Sequence, residues 1–217
     1  MSKYNTVIWD MDGTLLDTLD DLADGVNEAM TKFCMPLRTR DEIRSFIGNG
    51  ARKLLELSVP GGTQNPLYGD ALNFFLGFYA ENCRKKTKPF DGLEKLLPEL
   101  NEHAFKMAIV SNKTDSEVKA LARLYFKDTL HVAIGDADGV RRKPYPDTVF
   151  KALSQLDAQS ASTVYIGDTE VDIATAKNAG LDCISVSWGY RSREELTAAG
   201  ATVIAATPDE LGKLLLS

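Results

Sequence analysis

The chain has 217 residues, 44% of them hydrophobic and 26% charged, the proportions of a soluble globular protein long enough for one large domain or a core with a smaller insertion. Its formal net charge of −6 argues against nonspecific binding to nucleic acid or to an anionic membrane surface, and no apolar run approaches the roughly 20 residues of a membrane span. No signal-peptide pattern precedes the first apolar run, and Cys34, Cys83 and Cys183 form no C-x-x-C pair, so the expectation is a cytoplasmic chain with reduced thiols.

The first element is the run Val7-Ile8-Trp9, β-branched and aromatic, which reads as a short buried strand. Asp10-Met11-Asp12-Gly13-Thr14-Leu15 follows it directly, with Gly13 freeing the chain to turn. From Asp17 to Phe33 the apolar residues Leu19, Leu22, Val26, Met30 and Phe33 recur at helical spacing. Asp41 to Phe46, Ala51 to Ser58 and Tyr68 to Cys83 read as further helices, broken at Gly48-Asn49-Gly50 and Pro60-Gly61-Gly62. No strand pattern appears between about residues 17 and 85.

An alternation of strands and helices then begins. Helices are expected over Gly92–Leu100, Asp115–Leu124, Pro146–Leu156, Asp172–Ala179, Ser192–Ala199 and Pro208–Leu216. Strands are expected over Lys106–Val110, His131–Ile134, Thr163–Ile166, Cys183–Val186 and, at an edge, Ala201–Ile204. The alternation implies an α/β fold, a parallel sheet with helices on both faces and right-handed crossovers. The domains expected are an α/β core over residues 1–16 and 86–217 and an all-helical insertion over residues 17–85.

In a parallel sheet, ligands bind beyond the carboxyl ends of the strands. Asp10 and Asp12 follow the first strand, Ser111 and Asn112 the next, and Asp168 a later one, while Lys143 precedes a helix. Residues two apart on a strand point the same way, so Asp10 and Asp12 can converge. Close carboxylates repel, and a divalent cation resolves the conflict; oxygen-only ligands favour magnesium. His103 and His131 lie in no acid–base or metal-spaced grouping and read as structural.

The sequence resembles the haloacid dehalogenase-like superfamily of phosphohydrolases over nearly its whole length. Asp10-Met11-Asp12-Gly13-Thr14 is similar to the first motif of that superfamily, Ser111 to the second, Lys143-Pro144 to the third, and Gly167-Asp168-Thr169-Glu170-Val171-Asp172 to the fourth. The resemblance implies a Rossmann-like core with a small helical cap inserted after the first strand. Phe46-Ile47-Gly48-Asn49-Gly50-Ala51 and Val110-Ser111-Asn112-Lys113 look like segments of phosphoglycolate phosphatases.

What the resemblance implies for individual residues is specific. Asp10 is the nucleophile and forms an aspartyl-phosphate; Asp12 is the general acid and base. Magnesium is held by Asp10, Asp12 (through its carbonyl) and Asp168, with Asp172 holding a metal-bound water or orienting the loop, its other reading being an N-cap for the following helix. Thr14, Ser111, Asn112 and Lys143 contact the phosphoryl group, and Asn49, Gly50 and Arg52 read the rest of the substrate. The reaction implied is hydrolysis of a small phosphomonoester, 2-phosphoglycolate first among candidates, by a monomer or homodimer. A phosphomutase similar to β-phosphoglucomutase, a pyrophosphatase, and a non-catalytic binding protein are the alternatives.

Overall fold

The computed structural model describes residues 2–217. Contacts divide the chain into two compact units, one ending at Leu16 and resuming over Pro89–Ser217, the other running over Asp17–Lys88. The larger unit is an α/β fold around a six-stranded sheet of order β5-β4-β1-β6-β7-β8. Its strands are β1 (Thr6–Trp9), β4 (Lys106–Thr114), β5 (Val132–Asp136), β6 (Thr163–Gly167), β7 (Asp182–Val186) and β8 (Ile204–Ala205). Every pairing in it is parallel, and β1 sits between β4 and β6.

That central position explains the composition of β1. All four of its residues are buried, as a strand covered on both faces requires. Val7 and Trp9 join a core cluster with Leu93, Leu96, Leu97 and Leu100 of α5 (Leu93–Glu102), Val118 and Leu121 of α6 (Asp115–Tyr125), and Leu211 and Leu215 of α10 (Pro208–Leu216). Ile8 faces the other way, with Val149 and Leu153 of α7 (Asp147–Leu156) and Ala176 of α8 (Glu170–Ala179). The period-2 alternation thus feeds two cores, one on each face.

The smaller unit is helical: α1 (Leu19–Lys32), α2 (Arg40–Phe46), α3 (Gly50–Ser58) and α4 (Tyr68–Asn82). α1 and α4 pack closely where Gly25 faces the rings of Phe75 and Tyr79. The buried Asp21 of α1 accepts the backbone N–H groups of Lys86 and Thr87 and the Thr87 hydroxyl, which ties the end of the unit to its beginning. The short strands β2 (Leu16–Asp17) and β3 (Lys88–Pro89) pair with each other. Among the described residues no helix is long and apolar enough to cross a membrane.

Several boundaries differ from the sequence expectation, each for a local reason. β4 runs on past Val110 to Thr114, with a break in register between them, so Ser111–Lys113 belong to the strand's irregular end. α8 begins at Glu170 because Thr169 takes the N-cap position and the Asp172 carboxylate reaches back to its N–H. α1 begins two residues late because the Asp17 carboxylate accepts the Leu19 N–H. The edge strand expected over Ala201–Ile204 shifts to Ile204–Ala205, since the Ala201 N–H turns back to Leu196 and closes α9 (Arg193–Ala198).

Candidate active site

The first strand delivers Asp10 to the carboxyl edge of the sheet, where it is buried. The Lys143 ammonium donates to Asp10 Oδ1 at 2.7 Å, to Asp172 Oδ1 at 2.8 Å and to the Tyr165 hydroxyl at 3.1 Å. An ammonium has three protons, so all three donors of Lys143 go to protein acceptors. Tyr165, on β6, is fully buried and passes its own proton to Asp172 Oδ1 at 3.2 Å.

Asp172 accepts from four donors. Oδ1 takes Lys143 and Tyr165, and Oδ2 takes the Thr169 N–H at 3.0 Å and the Thr169 hydroxyl at 2.7 Å. A carboxylate offers about four lone-pair sites, so Asp172 is committed to holding Lys143 and capping α8. The cap expected as one of its two roles is present, with Asp172 at the third position of the helix rather than at its start.

Asp168 is fully buried and accepts from two donors, the Thr14 hydroxyl on Oδ1 at 3.0 Å and the Tyr190 N–H on Oδ2 at 2.7 Å. Thr14, expected to contact substrate, is itself wholly buried, and its hydroxyl donates to Asp168. Asp10, Asp168 and Asp172 bring carboxylate oxygens within 4.8 Å of one another. Asp12 stands apart from this group: its Oδ1 pairs with the Lys113 ammonium at 3.3 Å, and both side chains are largely buried.

Ser111 and Asn112 lie at the same strand end. Ser111 Oγ accepts the Lys113 N–H at 3.2 Å, and the Asn112 amide donates to the Lys143 carbonyl at 3.1 Å. Asn49, Gly50 and Arg52 belong to the helical unit. Asn49 is the N-cap of α3, with positive φ at Gly48 and Gly50. Arg52 is exposed, and Lys53 is paired with Glu56 on the same helix.

Four carboxylates, Asp10, Asp12, Asp168 and Asp172, therefore face two ammonium groups, Lys113 and Lys143. The surplus negative charge is buried. Burial pushes the Asp10 carboxyl from an ordinary 3.8 up to about 7, the Asp172 charge adds to the rise, and Lys143 opposes it. Burial, with Asp172 and Asp10 beside it, also raises the Asp168 carboxyl well above the usual range. Burial disfavours the Lys143 charge, yet the Asp10 and Asp172 carboxylates outweigh it and hold its pKa well above 10.5. An all-oxygen set with two surplus charges and open lone pairs on Asp10 and Asp168 fits one hard divalent cation.

The family profile of haloacid dehalogenase-like hydrolases matches residues 7–186. The chain belongs to the haloacid dehalogenase-like hydrolases. One solved hydrolase of similar fold, provisionally named a phosphoglycolate phosphatase and from Lactobacillus delbrueckii subsp. bulgaricus, is 34% identical with a TM-score of 0.94, covering 99% of this chain and 100% of its own. The phosphoglycolate phosphatase of Colwellia psychrerythraea is 28% identical over 207 residues, 92% of each protein. The Rhodobacter sphaeroides protein CbbY, solved with phosphate, shares the fold at a TM-score of 0.79 and 24% identity, over the whole of both chains.

Sequence reasoning about this hydrolase missed three contributors. Lys113 lies two residues beyond Ser111 on one strand, so the period-2 rule could have placed both on one face. Tyr165 lies within the strand expected over Thr163–Ile166, and nothing in its spacing marks its hydroxyl as a partner of Lys143. The segment Ser187-Trp188-Gly189-Tyr190-Arg191 follows β7 at the same sheet edge, and the strand-end rule applied to β1, β4 and β6 was not extended to it.

Proposed function

We propose that this hydrolase is a magnesium-dependent phosphatase that cleaves a small phosphomonoester, with 2-phosphoglycolate the first candidate. The observation that carries the reading is Asp10: a buried carboxylate at the strand end, locked in rotation by Lys143 and flanked by Asp168. The names of the Lactobacillus and Colwellia relatives support the substrate.

Asp10 attacks phosphorus, the bond from phosphorus to the leaving alkoxide breaks, and Asp12 gives that alkoxide its proton. Water then attacks the aspartyl-phosphate and loses its proton to Asp12; phosphate leaves and Asp10 is regenerated. Lys143 cannot serve the phosphoryl oxygens without giving up one of its three acceptors, and Tyr165, the longest of its contacts, is the one to yield. Ser111 and the backbone N–H groups beyond it supply donors to the phosphoryl oxygens. Asp10, Asp168 and the Asp12 carbonyl would hold magnesium, with Asp172 contributing charge. Magnesium, when bound, offsets the negative charge of the transition state.

Phosphate release from a panel of phosphomonoesters, with and without magnesium, tests the reading. Magnesium-dependent release is expected, fastest from 2-phosphoglycolate. Transfer of the phosphoryl group to a sugar without net release would establish a mutase instead. Asp10→Asn should abolish release while circular dichroism and the melting curve report an intact fold.

A further inference from the structure

One of the two donors that orient Asp168 comes from a segment outside all four motifs. After β7 the chain runs Ser187-Trp188-Gly189-Tyr190-Arg191 across the sheet edge. The Trp188 indole N–H donates to the Thr14 carbonyl at 3.0 Å. The Tyr190 N–H donates to Asp168 Oδ2 at 2.7 Å. Arg191, itself buried, forks onto both carboxylate oxygens of Glu170 at 2.9 and 3.1 Å. Three successive side-chain or backbone donors thus bind the first motif, Asp168 and the residue two beyond it.

The fit leaves no slack. A Cβ on Gly13, where φ is +86°, would meet the Asp168 carboxylate and the Tyr190 ring; one on Gly189 would meet the Gly13 carbonyl and the Asp168 carboxylate. Glycine is required at both positions for the two backbones to close on one side chain from opposite sides. With Thr14 on Oδ1 and Tyr190 on Oδ2, each Asp168 oxygen keeps one lone-pair direction open, and the two donors decide where it points.

We infer that Trp188–Arg191 is a positioning element that orients the Asp168 carboxylate and thereby sets how tightly the hydrolase holds its divalent cation. The inference rests on the cation reading proposed above. Donors that hold a metal-binding carboxylate in place are commonly worth 10–100-fold in metal affinity or activity.

The test uses the full chain and magnesium alone, read as the magnesium-induced rise in melting temperature across a titration and, independently, as binding of manganese by electron paramagnetic resonance. Gly189→Ala displaces the Tyr190 N–H and should raise the half-saturating magnesium concentration about tenfold or more. Trp188→Phe removes the indole donor along with part of the ring and should raise that concentration severalfold, while Trp188→Leu, which keeps no donor either, should raise it alike. Gly77→Ala, where an added Cβ meets nothing within 4 Å, should not change it. If wild type and the Gly189 and Trp188 variants saturate at the same concentration, the inference is overturned. If the wild type shows no magnesium response by either readout, the cation reading itself has failed. Should Gly189→Ala not fold, the Trp188 variants decide alone, an unchanged affinity counting against the inference.

Discussion

At Asp10 the structure trades solvation for reactivity. In a metal-free site its carboxyl rises to about 7 because burial and Asp172 outweigh Lys143. The unfolded chain releases that proton near 3.8, so between about 4 and 7 the native form binds more protons than the unfolded one. Stability of the metal-free protein should therefore fall as pH rises through this window, and bound magnesium, which competes with the proton, should flatten the fall. Melting curves from pH 5 to 8 in chelator and in magnesium check the sign. Tyr165 makes a second residue-scale case. Tyr165→Phe leaves the core filled but removes one of the three acceptors of Lys143. Tyr165 is the acceptor that Lys143 gives up on turning to the phosphoryl oxygens, so a bond worth about 1.5–3 kcal/mol is lost from the resting site alone: the melting temperature should fall while kcat stays near wild type, as melting curves and steady-state kinetics would report.

Among the elements, α8 couples stability to the site through one side chain. Asp172 caps the helix by accepting from Thr169 and holds Lys143 with its other oxygen. Thr169→Val removes the hydroxyl donor and should cost about 1 kcal/mol, read as a lower denaturant midpoint with an unchanged slope. The strands and helices were legible in sequence because hydrophobic period and turn residues set them locally: the β1 run and the helix expected over Gly92–Leu100, found at Leu93–Glu102, both stand. Asp10, Asp12 and Asp168 were legible as residues following strands and Lys143 as one preceding a helix, while Asp172 was legible only through the resemblance. What the sequence could not show was partner choice. Thr14, Tyr165 and Tyr190 act through bonds to residues far along the chain, and the edge strand starts late because the Ala201 N–H turns back to Leu196. Those outcomes follow from three-dimensional competition for donors, which spacing does not encode.

At the scale of the whole molecule, the chemistry proposed and the substrate selection expected fall to different units. The reactive groups all belong to the α/β unit, and Asn49, Gly50 and Arg52 belong to the helical one. Arg52 is exposed and only its carbonyl is engaged, by the Tyr68 hydroxyl. Arg52→Ala should therefore leave melting unchanged, and the proposed role predicts slower turnover of a carboxylate-bearing phosphomonoester relative to a neutral one. Equal relative rates for wild type and variant would remove Arg52 from substrate selection.

The central place of β1 has a consequence for synthesis. It leaves the ribosome well before its pairing partners, which begin only at Lys106 and Thr163. Throughout that interval its apolar side chains and both ladder edges lack their native neighbours, the kind of segment that invites misassociation. The helical unit, complete by Lys88, finds its α1–α4 packing and its Asp21–Thr87 bonds within itself and can form while β1 waits. Assembly of the α/β unit is then a late, collective event, because every pairing of β1 spans most of a domain's worth of chain.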